Sequence, residues 1–93
     1  METNVNTERV IHKYHFPIQE EFTLPIPPQH EIVLVELQDG IPTMWVEIKP
    51  SPTIHKSFSI IGTGHAIPPG WSHVRSFQQA GYVWHLYEKV EEI

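Results

Sequence analysis

Nine prolines, at positions 17, 25, 27, 28, 42, 50, 52, 68 and 69, punctuate a chain of 93 residues. Proline has no N–H to donate and its ring clashes with the preceding helical turn. No window of twelve or more residues carries a 3.6-residue apolar period. Apolar residues instead alternate with polar ones, which is the period of a strand. The chain therefore reads as all-β: a single small domain of six or seven mostly antiparallel strands, in a compact barrel or a two-layer sandwich.

The alternation locates the elements. In residues 9–16, Val10, His12, Tyr14 and Phe16 share one face, and Pro17 ends the run. Residues 20–26 form a second, shorter candidate, and Pro25, Pro27 and Pro28 confine it to a sheet edge. Residues 31–38 and 41–49 flank Asp39-Gly40, a strong two-residue hairpin signal. In the returning strand Met44, Val46 and Ile48 make the core face, and Thr43, Trp45 and Glu47 the wetter one. Pro42 fits an outward-facing or non-hydrogen-bonded position there. Residues 55–64 read as another strand. Next comes 71–78, with Trp71, His73, Arg75 and Phe77 on one side. The last strand, 82–90, alternates Val83, His85 and Tyr87 against Tyr82, Trp84, Leu86 and Glu88. Its two apolar sides mark it as central, or as meeting a partner chain. A helical turn near 66–72 is compatible with the composition. Residues 1–8 read as a flexible N-terminus, 9–90 as the single β domain and 91–93 as a tail.

Charge and composition narrow the function classes. Eleven acids against six scattered bases give a formal charge of −5, a field that repels bulk nucleic acid and anionic membrane. No 18-residue apolar run is present, so no membrane-spanning segment is expected. The polar, acidic start is unlike a signal peptide, which points to the cytoplasm. Without cysteine there is neither a disulfide framework nor a thiolate metal site. A core this small is often completed by a second copy, and the two-faced last strand suits a homodimer or higher homo-oligomer.

The stretch IIGTGHAIPPG, residues 60–70, is the most distinctive candidate for chemistry. Gly62-Thr63-Gly64 can turn backbone N–H groups toward an anion, the Thr63 hydroxyl adds a donor, and His65 adds a hydrogen bond or a charge. Phosphate loops usually run into a helix, however, and here Pro68-Pro69-Gly70 follows. The competing reading is a bulge and tight turn capped by His65. Arg75, beside Trp71 and Phe77 in the alternation, is the preferred basic residue for an anionic ligand, and Trp71 the stacking partner. The candidate ligand-binding set is thus Gly62, Thr63, Gly64, His65, Trp71 and Arg75. The seven histidines show no strong metal-ligand spacing, although His73 and His85 fall on neighbouring strands. Ser72-His73 with Glu47 or Glu88 makes a triad only on paper, because adjacent strand residues point to opposite faces. Glu20-Glu21 and Glu91-Glu92 read as solvated charge. No catalytic residue, metal or cofactor is assigned.

The segments IHKYHF, LPIPPQHEIVLVELQDGIPTMWVEIKP, FSIIGTGHAIPPG and HVRSFQQAGYVWHLYE together resemble a family of small, uncharacterised, mainly bacteriophage-encoded domains of unknown function. The match covers residues 11–88. It is sharpest in the GTGH-x-x-P motif, Gly62 to His65 with Pro68, and in the late strand bearing His85 and Glu88. The linker at Ser51, Pro52 and Thr53 and the part bearing Trp71 and His73 depart from the family pattern. The resemblance implies a phage accessory or counter-defence protein in the host cytoplasm. In that role it would sequester a nucleotide-like host immune signal without cleaving it. Two alternatives stay open: a host-protein-binding or virion-associated structural module, and, behind these, a small hydrolase.

Overall fold

A computed structural model describes residues 8–90. Seven strands follow one another: β1 (Val10–His15), β2 (Phe22–Ile26), β3 (His30–Gln38), β4 (Ile41–Ile48), β5 (Ile54–Gly62), β6 (Trp71–Gln79) and β7 (Tyr82–Lys89). They build two sheets, β1-β4-β3 and β2-β5-β7-β6, with every pairing antiparallel. The result is an all-β, two-layer sandwich, which resolves the choice left open by the sequence. The expected flexible N-terminus (all but Glu8) and the tail 91–93 lie outside the described residues. Among the described residues no helix is long and apolar enough to cross a membrane.

Two hairpins anchor the layers. Asp39-Gly40 joins β3 to β4 and Ala80-Gly81 joins β6 to β7, with all four residues at positive φ, between 51° and 83°. That pairing is the type I′ geometry, whose twist matches the strands it connects. The Gln79 amide donates to the Gly40 carbonyl at 2.9 Å, tying one hairpin to the other where β3 and β6 lie side by side. Segment 16–21 carries the chain from one sheet to the other. The Phe16 amide donates to the Pro42 carbonyl at 3.0 Å, and the Ile60 amide to the Gln19 carbonyl at 3.1 Å.

The core lies between the sheets. Met44, Val46 and Ile48 line it from β4, Phe58 and Ile60 from β5, and Phe77 and Leu86 from β6 and β7. Phe16 bridges the layers: its ring stacks on Phe22 and meets Phe77 edge-on, each at 5.6 Å between centroids. β7 is central, as its two-sided pattern predicts, and the proline-bearing β2 is an edge.

Four details differ from the sequence reading. Pro42 does not face outward; it is buried, in line with Met44. Thr43 is fully buried on the supposedly wet face. His15 of β1 pairs with it through Nδ1 at 2.9 Å, while the Thr43 hydroxyl donates to the Ile41 carbonyl at 2.8 Å. No helical turn forms at 66–72. Finally, Trp71, His73, Arg75 and Phe77 do not share a side. A β-bulge at Val74 shifts the register, so that His73 pairs with Tyr87 while Arg75 pairs with Leu86. One extra residue reverses the facing of everything before it. Trp71 and His73 turn to the outer face, and Arg75 and Phe77 stay on the core side.

Candidate functional site

The outer face of the four-stranded sheet is where the polar chemistry collects. Directly opposed residues in an antiparallel pair share a face. Ser59 with Tyr87, Ile61 with His85, and Ser76 with His85 therefore all point outward. Ser59 and Ile61 are nonetheless buried, at 6% and 7% exposure. The segment 63–70 that follows β5 borders recesses above them.

That segment begins with a tight turn. The His65 amide donates to the Gly62 carbonyl at 3.1 Å, and Gly64 takes φ +90° at the third position of the turn. This is the type II pattern, which strongly favours glycine there. At Gly62 a Cβ would lie 3.4 Å from the Trp84 ring and 3.6 Å from the His65 ring, ordinary van der Waals distances, so both rings pack beside this position.

The turn delivers the Thr63 hydroxyl to β7, where a chain of hydrogen bonds begins. Thr63 Oγ1 donates to the Val83 carbonyl at 3.1 Å, so toward His85 Nε2, 2.9 Å away, it accepts. His85 then carries its proton on Nε2 and offers the Nδ1 lone pair to the Ser76 hydroxyl at 2.6 Å. Ser76 in turn accepts from His73 Nε2 at 3.0 Å. The order is His73 to Ser76 to His85 to Thr63 to a backbone carbonyl. The His73 ring also meets Tyr87 edge-on at 5.3 Å and lies 6.3 Å from the His85 ring.

A recess of about 190 Å³ opens beside this chain, lined by Ile61, Gly62, Thr63, Gly64, His65, Ile67, His85 and Tyr87. Four of the residues singled out from sequence, Gly62 to His65, thus border one hollow. Trp71 borders a second hollow across the 63–70 segment, which His65 also lines. Arg75 lies in neither: its guanidinium donates to the Val74 carbonyl at 2.8 Å, in a depression shared with His30, Glu31 and Glu88. Ser76 was not singled out by the sequence. A serine three residues after a histidine faces away from it in a regular strand, and only the bulge brings the two together. His73 and His85 do come together, but among the described residues no three side chains of the histidine, cysteine or acidic kinds converge to hold a metal ion.

A second polar cluster closes one end of the sandwich. His30 donates from Nδ1 to the Pro27 carbonyl at 2.8 Å and turns Nε2 toward Glu88, 4.0 Å away. Lys56 lies 4.0 Å from the same carboxylate and donates to the Lys89 carbonyl at 2.9 Å. The facing Glu88 carboxylate raises the His30 pKa above its ordinary value, against the opposing effect of burial. His30, with help from Lys56 and against burial, lowers that of Glu88. Both acid and base are committed to each other and to the seam between the sheets.

Residues 7–93 match the model of a family described as domain of unknown function DUF7352, and the chain belongs to that family. No curated protein and no solved structure matches the chain.

Proposed function

We propose that this member of the DUF7352 family is a non-catalytic binding protein that holds the ring portion of a nucleotide-like small molecule between the 62–65 turn and β7. The hydrogen-bonded chain from His73 to Thr63 supports this most. It fixes the His85 ring as one wall of the recess with both nitrogens already bonded. Such a wall presents a face for stacking rather than a free base for catalysis. Tyr87 adds a second ring, Ile61 and Ile67 add apolar cover, and His65 supplies a donor that becomes a charge when protonated. In the phage accessory role that the resemblance implies, such a protein would sequester a host nucleotide signal without consuming it.

The test is retention. Purified protein is mixed with a panel of cyclic and ADP-ribose-type nucleotides, desalted and heated, and the released ligand is identified by mass. The expected result is one nucleotide recovered unchanged, with His65→Ala lowering its affinity about tenfold, the loss of one hydrogen bond, and leaving the unfolding transition in place. A chemically altered product would establish the hydrolase instead. Unchanged affinity in the His65 variant would reduce the 62–65 segment to a turn.

A further inference from the structure

A sheet edge presents unpaired N–H and C=O groups, and folds usually blunt it. β7 lies inside its sheet, so strand pairing between copies would have to use one of the edges β1, β2, β3 or β6. Three of these are blunted. β2 carries Pro25, which has no N–H to donate. β3 is bulged at Val33 and β6 at Val74, and these two strands lie side by side where the sheets meet. β1 has none of these devices. It runs against β4 in one unbroken register from Val10 to His15, without proline, and among the described residues no strand flanks its other side.

The backbone phase of β1 is fixed by the ladder. The Phe16 amide donates to the Pro42 carbonyl, one step beyond the His15–Thr43 pair. Bonded and unbonded pairs alternate along an antiparallel ladder. Val10, His12 and Tyr14 therefore bond to β4, while Ile11, Lys13 and His15 aim their N–H and C=O groups at the open side. The Lys49 amide, bonded to the Gln29 carbonyl at 3.3 Å, gives the same phase from the far side of β4.

The cations that could guard this edge lean away from it. Lys13 reaches over β4 and donates to the Gln38 side chain at 2.6 Å, and Arg9 is paired with Glu47 of β4. Apolar groups beside the edge are left uncovered. Val10 faces inward opposite the buried Ile48, yet is itself 37% exposed, and Ile11 on the outer face is 57% exposed. The core is open along this strand.

We propose that β1 pairs antiparallel with β1 of a second copy about a two-fold axis at His12, joining two three-stranded sheets into one of six strands. Only registers that set even residues against even ones bring the open-side backbone groups together and keep the faces aligned. Centring on Lys13 would oppose the two lysines, and centring on Ile11 would set Arg9 against Lys13. Centring on His12 avoids both. Ile11 then exchanges backbone bonds with the partner's Lys13, and Val10 packs on the partner's Tyr14. Lys13 falls in one cross-strand row with the partner's Ile11 and the partner's Glu47, so the charges complement. The pairing leaves the outer face of the four-stranded sheet free and does not rest on the nucleotide reading.

The test uses the full chain in sedimentation equilibrium and in site-specific cross-linking. The mass should rise with concentration toward that of two chains. Ile11→Lys, an exposed change that sets lysine opposite lysine twice in the dimer, should weaken association about tenfold at unchanged Tm. Because the chain has no cysteine, a single introduced thiol can bond only to a second copy. His12→Cys would face its own copy at roughly 4.5 Å between Cα atoms, within disulfide reach, and should oxidise to a covalent dimer. Ile11→Cys residues would be diagonal neighbours, roughly 7–8 Å apart, and should cross-link at least about tenfold more slowly. A chain that stays monomeric at millimolar concentration would overturn the proposal and leave the edge to an extended segment of another protein. Equal cross-linking at the two positions, or a dimer untouched by Ile11→Lys, would also overturn it, by placing the contact elsewhere.

Discussion

The two faces of β7 put histidine to opposite uses. On the inner face Leu86 is fully buried in the core, and Glu88, at the end of the sandwich, faces His30 and Lys56. On the outer face the His85 ring nitrogens are hydrogen-bonded to two hydroxyls, those of Thr63 and Ser76. A carboxylate stabilises the charged imidazolium, whereas a hydroxyl fixes the ring's orientation and tautomer without demanding a charge. His30, its side chain 10% exposed, is therefore a pH-dependent part of the architecture. His85 is a positioned surface of a binding site. The lesson is that the partner on the facing strand, not the histidine itself, decides which role is played.

The sharpest way to break this contrast is to weaken the inner face alone. Leu86→Ala removes a fully buried side chain from the core between the sheets, and should cost about 2–5 kcal/mol in chemical denaturation. A cost near zero would mean that β7 is not the centre of the core. The next largest effect is in pH. His30 has a raised folded pKa, so its contribution is full below its ordinary value of 6.5 and is lost as pH rises through the folded value. Glu88 has a lowered one, so its contribution is present above 4.5 and is lost as pH falls through the folded value. The pair stabilises most between those two ordinary values. Unfolding free energy measured against pH should show that maximum, and Glu88→Gln should flatten its alkaline side.

How far the sequence foretold these faces follows from what kind of information each needed. Strand alternation, the Asp39-Gly40 turn and the edge position imposed by Pro25 are local, and all were legible. So was the assignment of Val83, His85 and Tyr87 to one side of the last strand. The bulge at Val74 was not, because valine is a good strand residue and nothing beside it marks an insertion. That one event moved Trp71 and His73 to the outer face, made Ser76 the neighbour of His73, and parted both from Arg75, which stayed on the core side. Burial of Thr43 depended on His15, 28 residues away in sequence. Glu20-Glu21 read as solvated charge and both are exposed, whereas Ser59, 6% exposed, lies beside segment 63–70, a neighbour that alternation along β5 does not reveal. Register across strands and cover by a loop are non-local, and they carried the parts of the site that pattern reading could not reach.

The smallest expected effect tests the outer face. Ser76→Ala removes the middle link of the chain, leaving His73 Nε2 and His85 Nδ1 open to water at an exposed position. Water replaces the lost partner, so the stability change should stay below about 1 kcal/mol. The His85 proton should remain on Nε2, because the Thr63 hydroxyl has already given its own proton to the Val83 carbonyl and can only accept. Two-bond ¹⁵N–¹H spectra of the imidazole rings read this tautomer directly. Transfer of the proton to Nδ1 in the variant would show that Ser76, not Thr63, sets the direction of the chain. A loss of several kcal/mol would show that the outer face is structural in the way the inner face is, and the difference between the two sides of β7 would disappear.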